Sequence, residues 1–217
     1  MLGVEQISLN LAKRLGNKLD KNEEEIAVLN YGLFFLIHTS IAIVLTFLVG
    51  IVLGILTEIM IISISASLLK RYSGGVHSSS PNRCVMSGLI LSVIASFISK
   101  YIAINFDYIN MVLFEVIIMI VSAVIFYKKC PVPSKNKPLK KESTRIKLRK
   151  KAFQMMFLYT IIIIVLCVAY SFKQIYWMKL VSFSIIMGII IQTIAITKSG
   201  DLLVNFFEKI FDFIKIN

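Results

Sequence analysis

Long apolar segments constrain the fold of this chain more than any other feature. Hydrophobic residues make up 57% of the 217 residues, whereas soluble domains have about 45–50%. Several stretches approach or exceed the roughly 18 apolar residues that read as a membrane-spanning helix. The sequence therefore predicts an all-α, polytopic membrane protein.

The apolar stretches predict six transmembrane helices flanked by an amphipathic helix at each end of the chain. In the first of these, residues 4–19, Val4, Ile7, Leu11, Leu15 and Leu19 share one face. Such a helix can lie in the membrane interface or pack on cytoplasmic loops, and residues 201–214 predict a second interfacial helix. The predicted spans are about 31–48, 51–69, 84–98, 111–126, 153–170 and 178–196.

We expect one integral-membrane domain over residues 1–217, without an internal repeat, a soluble second domain or a cleavable signal peptide. Its predicted parts are a cytoplasmic N-terminal segment (1–30), two spans (31–70), a polar loop that holds the candidate site (71–83), two more spans (84–127), a basic loop (128–151), the last two spans (152–197) and a C-terminal helix (198–217).

The charge distribution predicts the orientation in the membrane. The net charge is +12, and eleven Lys and Arg residues lie between Lys128 and Lys151 against one acid, Glu142. The turns at 50–54, 100–110 and 171–179 hold only three of the 24 cations. Because cytoplasmic loops carry the excess of Lys and Arg, both termini, the polar loop and the basic loop should be cytoplasmic. Anionic lipids are the expected partners of the basic loop, and nucleic acid is the less favoured alternative.

The polar loop carries the residues with the most reactive chemistry. It contains Gly74-Gly75, His77, three serines and Pro81, and an apolar pattern follows Pro81. Cys84 should therefore lie in the first turn of a helix, where unpaired N–H groups and the helix dipole favour a thiolate. His77 could serve as the base of a nucleophile–base pair with Cys84, and Ser87 lies one turn beyond Cys84 on the same face.

Less specific interpretations of the same residues remain open. A lone cysteine in a membrane helix is usually a small apolar side chain. Two ligands, His77 and Cys84, are too few for a structural zinc site, so we predict no metal and no cofactor. We expect His38 to be neutral and bonded to a neighbouring helix, and Glu115 to be bonded to a neighbour or to reach the interface.

Arg71, Gly74-Gly75, His77 and Cys84 resemble the signature of the accessory gene regulator B (AgrB) family. Members of that family are membrane cysteine endopeptidases that process the precursors of quorum-sensing peptides. The resemblance extends to the layout of spans and to Asn136-Lys137-Pro138 in the basic loop. It implies a multi-pass protein of the bacterial cell membrane in which His77 and Cys84 are the catalytic pair.

The resemblance also implies the substrate, a short precursor with an amphipathic leader, a central peptide that becomes a ring and an acidic tail. Attack by Cys84 at the tail junction would give a thioester, from which a thiolactone or lactone ring could form. We expect the backbone of Gly74 and Gly75 to stabilise an oxyanion, and Arg71 to orient the loop or bind a carboxylate. The cations expected to meet the acidic tail are Lys135, Lys137, Lys140 and Lys141.

Two other classes of function remain open at this stage. The protein could be a membrane transport or binding protein in which His77 and Cys84 are structural, or a sensor that is oxidised at Cys84 or binds a metal there. A homodimer would suit a small protein with one shallow site. Reactivity of Cys84 toward a thiol-directed probe would separate an enzyme from these alternatives.

Overall fold

The protein is all-α, and its structure is a computed structural model that describes residues 2–76, 78–133 and 141–214. Five helices, α2, α4, α5, α6 and α7, are long and apolar enough to cross a membrane, so the prediction of a multi-pass membrane protein is confirmed. The eight helices found in the described residues are α1 (Leu2–Lys18), α2 (Glu23–Val52), α3 (Leu56–Ser73), α4 (Pro81–Asn105), α5 (Tyr108–Lys129), α6 (Glu142–Lys173), α7 (Tyr176–Ala195) and α8 (Lys198–Phe213).

Helix α7 lies at the centre of the molecule and packs against α3, α4, α5 and α6. Phe183, Ile186 and Ile189 are fully buried there. A Cβ atom added to Gly188 would lie 2.9 Å from the carbonyl oxygen of Ile62, so the missing side chain lets α7 approach the α3 backbone. The core of the protein is therefore built around the α3–α7 pair.

The predicted boundary between the first two spans is wrong. Helix α2 continues through Gly50 to Val52, and the turn falls at residues 53–55, where Gly54 has φ 64°. Gly50 is buried inside α2, and a Cβ atom there would lie 2.9 Å from Leu56 Cα, so the missing side chain allows the close approach to α3. Helix α3 begins only at Leu56 and is not one of the five strongly apolar helices. Glu58 therefore lies in the first turn of α3, at the end opposite the polar loop.

Helices α4 and α6 follow the prediction more closely. Helix α4 begins at Pro81, where proline is favoured because its missing N–H is not needed, and Cys84 lies in the first turn as expected. Helix α6 has 32 residues and includes the basic stretch from Glu142 onward. At 1.5 Å per residue it is about 48 Å long, so its basic end extends beyond a hydrocarbon core of about 30 Å.

The two terminal helices pack through different faces. Helix α1 packs against α2, and Val4, Ser8 and Ala12 of α1 are buried. Val4 therefore differs in burial from the rest of the predicted apolar face. The other four residues of that face are exposed: Ile7, Leu11, Leu15 and Leu19. Helix α8 instead buries Phe207 and Phe211 against the rest of the protein. Apolar side chains thus stay uncovered on α1.

Glu115 in α5 is bonded to neighbouring helices, as expected. Its two carboxyl oxygens accept hydrogen bonds from Ser182 Oγ of α7 at 2.6 Å and Cys167 Sγ of α6 at 3.0 Å. All three side chains are buried. These bonds satisfy a polar group that would otherwise be costly inside the molecule.

Candidate active site

The first turn of α4 holds Cys84 in a defined position. The side chain of Ser80, the N-cap residue, accepts a hydrogen bond from the Arg83 N–H at 3.3 Å. The Cys84 N–H donates to the Ser80 carbonyl at 3.1 Å. A serine cap followed by Pro81 is a strong helix start, so the sequence itself places the sulfur at the N-terminal end of α4.

Lys70, in the last turn of α3, lies beside this sulfur. Its Nζ is 3.8 Å from Cys84 Sγ, within hydrogen-bonding distance for sulfur. An adjacent ammonium group stabilises a thiolate relative to a thiol, and a helix N-terminus does the same. Cys84 is partly exposed, so its sulfur is accessible to a reagent.

The polar loop before α4 is bonded to the backbone of two other segments. Gly74 has φ 70° and its N–H donates to the Lys70 carbonyl, which ends α3. The Val132 N–H donates to the Ser73 carbonyl at 2.8 Å, and the Val76 N–H to the Ala195 carbonyl at 3.0 Å. The segment that leads to His77 is thus joined to both the α5–α6 connection and the end of α7.

Gly75 and Gln192 explain why this loop can lie so close to α7. Gly75 has φ 130°, and a Cβ atom there would lie 2.9 Å from the Ala195 carbonyl oxygen. Gln192 is buried, and its Nε2 donates to Ser73 Oγ and to the Gly74 carbonyl, both at 2.7 Å. Gln192 therefore fixes the end of α3 next to Lys70.

Two further contacts hold the start of α4. His38 Nε2 of α2 lies 3.3 Å from Asn82 Oδ1, which confirms that His38 is bonded to a neighbouring helix. Glu208 of α8 accepts from the Ser79 N–H at 2.8 Å, from Ser79 Oγ at 2.7 Å and from Arg83 Nη1 at 2.6 Å. Helices on both sides therefore contact the residues that flank Cys84.

Cys84 opens into a cavity of about 410 Å³. Its walls come from α2, α3, α4, α7 and α8, and Lys70, Ser87 and Gln192 line it together with Cys84. The rest of the lining is largely apolar, with a few serine and threonine hydroxyl groups. This volume falls within the range of about 300–1,000 Å³ that is usual for ligand-binding clefts.

Apart from Gly74 and Gly75 of the loop, the predicted site residues fall into three groups. Cys84 and Ser87 both line the cavity, and Ser87 Oγ donates to the Cys84 carbonyl at 3.1 Å. Arg71 is exposed and lies over the Tyr72 ring, 5.9 Å from its centroid, while Lys141 is exposed at the N-cap of α6. His77, Lys135, Lys137 and Lys140 lie outside the described residues.

Three residues that sequence reasoning did not assign are prominent at this site: Lys70, Gln192 and Glu208. Gln192 carried a usable signal, because a polar side chain inside an apolar helix points to a functional or structural partner. Lys70 directly precedes Arg71, and nothing in the sequence pattern distinguishes it from the cations of the neighbouring loop. The role of Glu208 depends on a contact 129 residues away in sequence.

The other two cysteines lie in environments that oppose a thiolate. Burial raises the pKa of the Cys130 thiol to about 11, although Arg149 acts in the opposite direction. Cys167 is buried and donates to Glu115. Within the described ranges, no three His, Cys, Asp or Glu side chains are grouped closely enough to hold a metal ion. Cys84 is the cysteine that the structure makes accessible.

Comparisons with known proteins give a family match over most of the chain. The sequence model of the family described as Accessory gene regulator B matches residues 8–196. The chain belongs to the AgrB family. Among curated proteins, a "Putative AgrB-like protein" of Clostridium perfringens strain SM101 is 31% identical over 205 residues, which is 93% of this chain and 95% of the relative.

Two other AgrB-family relatives support the assignment. The "Putative AgrB-like protein 2" of Clostridium perfringens strain 13 is also 31% identical, over the same shares of both chains. A "Putative AgrB-like protein" of Listeria innocua is 26% identical over 60% of this chain and 61% of its own. No solved structure matches the chain significantly. AgrB-family membership supports, in general terms, a role in processing the autoinducer peptide of a quorum-sensing system.

Proposed function

We propose that this AgrB-family protein is a membrane cysteine endopeptidase that removes the C-terminal tail of a short autoinducer precursor. The observation that carries the proposal is the 3.8 Å approach of Lys70 Nζ to Cys84 Sγ, both of which line a cavity of about 410 Å³. A positively charged neighbour at a helix N-terminus is how a cysteine nucleophile is activated. The two comparable cysteines, Cys130 and Cys167, are buried.

The proposed reaction is an acyl transfer in two steps. The Cys84 thiolate attacks the carbonyl carbon at the tail junction, a C–S bond forms, and the C–N bond breaks as the leaving amine takes up a proton. The core of the precursor is then a thioester on Cys84. A thiol or hydroxyl group within the precursor attacks that thioester, forms a thiolactone or lactone ring and releases Cys84.

His77 is the proposed base that takes the Cys84 proton and returns it to the leaving amine. It lies outside the described residues, but the residues on both sides of it are bonded: Val76 to α7 and Ser79 to α8. We assign Gly74 a role in shaping this loop, since its N–H already donates to the Lys70 carbonyl. The Gly75 N–H is the proposed oxyanion donor.

The acidic tail of the precursor is proposed to bind the basic segment that precedes and opens α6. Lys151 of α6 lies over the Tyr72 ring, 5.6 Å from its centroid, on the helix that carries Lys70 and Arg71. The basic end of α6 therefore lies next to the end of α3 from which the loop leaves. Lys135, Lys137, Lys140 and Lys141 are the cations we propose for tail binding.

The same proposal includes a six-span topology with α3 as the sixth membrane helix. Helix α3 has 18 residues, about 27 Å at 1.5 Å per residue, and packs against α2, α4, α6 and α7. Both termini, the polar loop and the basic segment then lie in the cytoplasm, and the exposed apolar face of α1 meets the lipid interface. A homodimer remains a prediction.

Cleavage of the precursor by purified protein tests the proposed function. Cys84→Ser should abolish release of the tail while leaving membrane insertion intact, because an alcohol is a far weaker nucleophile here than a thiolate. Cys130→Ser and Cys167→Ser are matched controls and should still cleave. Cleavage by the Cys84→Ser protein would mean that the protein acts through another residue, and absence of cleavage by the wild-type protein would favour a binding or transport role.

A further inference from the structure

The C-terminal helix α8 lies outside the region matched by the family, which ends at residue 196, yet it forms part of the cavity that contains Cys84. We propose that α8 is a specificity wall of the active site. In this proposal Leu203, Val204 and Phe207 contact an apolar side chain of the substrate beside the cleaved bond, and Glu208 is the residue that positions the wall. The inference rests on the proposed function.

The lining of the cavity is the first argument. Leu203, Val204 and Phe207 line the same cavity as Cys84 and Lys70. A peptide whose carbonyl carbon is attacked by Cys84 Sγ must place its neighbouring side chains in this space. Because the α8 part of the lining is apolar, burial of an apolar side chain there is favourable by area removed from water. The occupant is therefore the substrate segment next to the cleaved bond.

Packing of α8 is the second argument. Phe207 and Phe211 are 7% and 2% exposed, and their rings stack with centroids 6.1 Å apart. A Cβ atom on Gly200 would lie 2.6 Å from the Ile194 carbonyl oxygen, so this glycine allows α8 to turn back tightly from α7. Helix α8 is thus packed into the protein and is part of a preformed site.

The polar contacts to the loop are the third argument. Glu208 accepts two bonds from Ser79 and one from Arg83, and Arg83 also pairs with Asp212 at 2.7 Å. Burial raises the pKa of the Glu208 carboxyl, but the bonds from Ser79 and Arg83 outweigh it, so the pKa lies below the usual value. The carboxylate is therefore charged at neutral pH, and these bonds hold α8 against the residues that flank Cys84.

The test measures access to Cys84 in the full-length protein without any substrate. Two thiol reagents are compared: iodoacetamide, which is small, and N-phenylmaleimide, which is apolar and bulky. In Val204→Trp, the added ring should fill the α8 side of the cavity. We expect the rate of Cys84 modification by N-phenylmaleimide, relative to iodoacetamide, to fall by about tenfold or more, because overpacked space excludes a bulky ring.

Leu202→Trp is the matched control, since Leu202 is 71% exposed on the same helix. Its ratio of N-phenylmaleimide to iodoacetamide rates should stay within about twofold of wild type, because surface changes have small effects. Val204→Phe is the smaller variant to use if Val204→Trp does not fold. An unchanged ratio in the folded Val204 variants, or an equal fall in Leu202→Trp, would overturn the proposal that α8 forms a wall.

The positioning role of Glu208 has its own variants. Glu208→Gln should raise the N-phenylmaleimide rate several-fold because the wall is held less firmly, and Glu208→Asp should restore part of the wild-type rate. Asp201→Asn removes a carboxylate from the first turn of α8, where Asp201 is exposed. This variant should leave the N-phenylmaleimide rate unchanged. Equal rates in wild type and Glu208→Gln would overturn the positioning role.

These measurements are independent of the proposed reaction. A protein whose Cys84 is shielded by α8 but which never cleaves a precursor would support the wall and contradict the endopeptidase. A protein that cleaves through Cys84 while Val204→Trp leaves access unchanged would support the endopeptidase and contradict the wall.

Discussion

At the residue scale, the charge of Lys70 is the feature that distinguishes Cys84 from an ordinary membrane-helix cysteine. Lys70→Met should lower the rate of Cys84 alkylation by iodoacetamide at neutral pH, while Lys70→Arg should keep most of it. Two unit charges about 4 Å apart interact by about 1 kcal/mol even in bulk water, so the expected loss is at least about fivefold. Equal alkylation rates in the Met and Arg variants would show that the charge of Lys70 does not activate Cys84.

Cys130 should behave in the opposite way. With a pKa of about 11 caused by burial, only about 0.1% of this thiol is ionised at about pH 8. We expect iodoacetamide to modify Cys84 and spare Cys130 near neutrality, with Cys130 modification rising about tenfold per pH unit as the thiolate fraction grows. Peptide mass spectrometry after timed alkylation distinguishes the two sites. Comparable rates at both cysteines near neutral pH would contradict the structure around Cys130.

Sequence reasoning identified the residues whose signal is local. Cys84 was placed correctly because Ser80 and Pro81 start a helix by short-range chemistry. Lys70, Gln192 and Glu208 were missed because their roles depend on which helices meet, and contacts such as that between Ser79 and Glu208 leave no local pattern. The expected oxyanion role of Gly74 overlooked that its N–H would be used to end α3.

At the scale of elements, the loop between α3 and α4 depends on Gly75. Gly75→Ala would combine an unfavourable φ of 130° with a Cβ atom 2.9 Å from the Ala195 carbonyl oxygen. Strain of this kind costs about 1–3 kcal/mol, which should displace the loop from α7. We expect precursor cleavage to fall sharply and thermal stability to drop.

Gly32→Ala is the matched control for that variant. Gly32 lies within α2, and an added Cβ atom there would meet nothing within 4 Å. Because alanine is favoured over glycine in a helix by about 1 kcal/mol, the Gly32 variant should be as stable as wild type or slightly more so. Equal losses of activity in the two variants would mean that the loop is not specifically sensitive to Gly75.

Hydropathy and periodicity predicted the helical elements well but not the ends of α2 and α3. The predicted turn at 50–54 includes Gly50, but Gly50 allows close packing inside α2, and of Gly50 and Gly54 it is Gly54 that has the positive φ of a turn. In α1 the sequence pattern predicts that the larger apolar residues share one face of the helix. Small residues such as Ala12 instead form the contact with α2 because they allow close approach, and Leu11 and Leu15 stay exposed.

At the scale of the whole molecule, the topology depends on whether α3 crosses the membrane. If it does, the turn after α2 and the connection after α5 lie on opposite sides. In a Cys84→Ser background, a membrane-impermeant maleimide applied to intact cells should label Leu53→Cys but not Pro133→Cys. Permeabilised cells should show labelling of both, because both residues are exposed. Labelling of both positions in intact cells would contradict the six-span topology.

The central claim is that Cys84 carries the precursor as a thioester, and trapping that intermediate tests it most directly. Purified protein is mixed with precursor, quenched in acid within one turnover and analysed by intact and peptide mass spectrometry. We predict an adduct on Cys84 whose mass equals the precursor minus its tail. Hydroxylamine should remove this adduct, and Cys84→Ala should lack it. Release of the tail without such an adduct, or an adduct on another residue, would contradict the central claim.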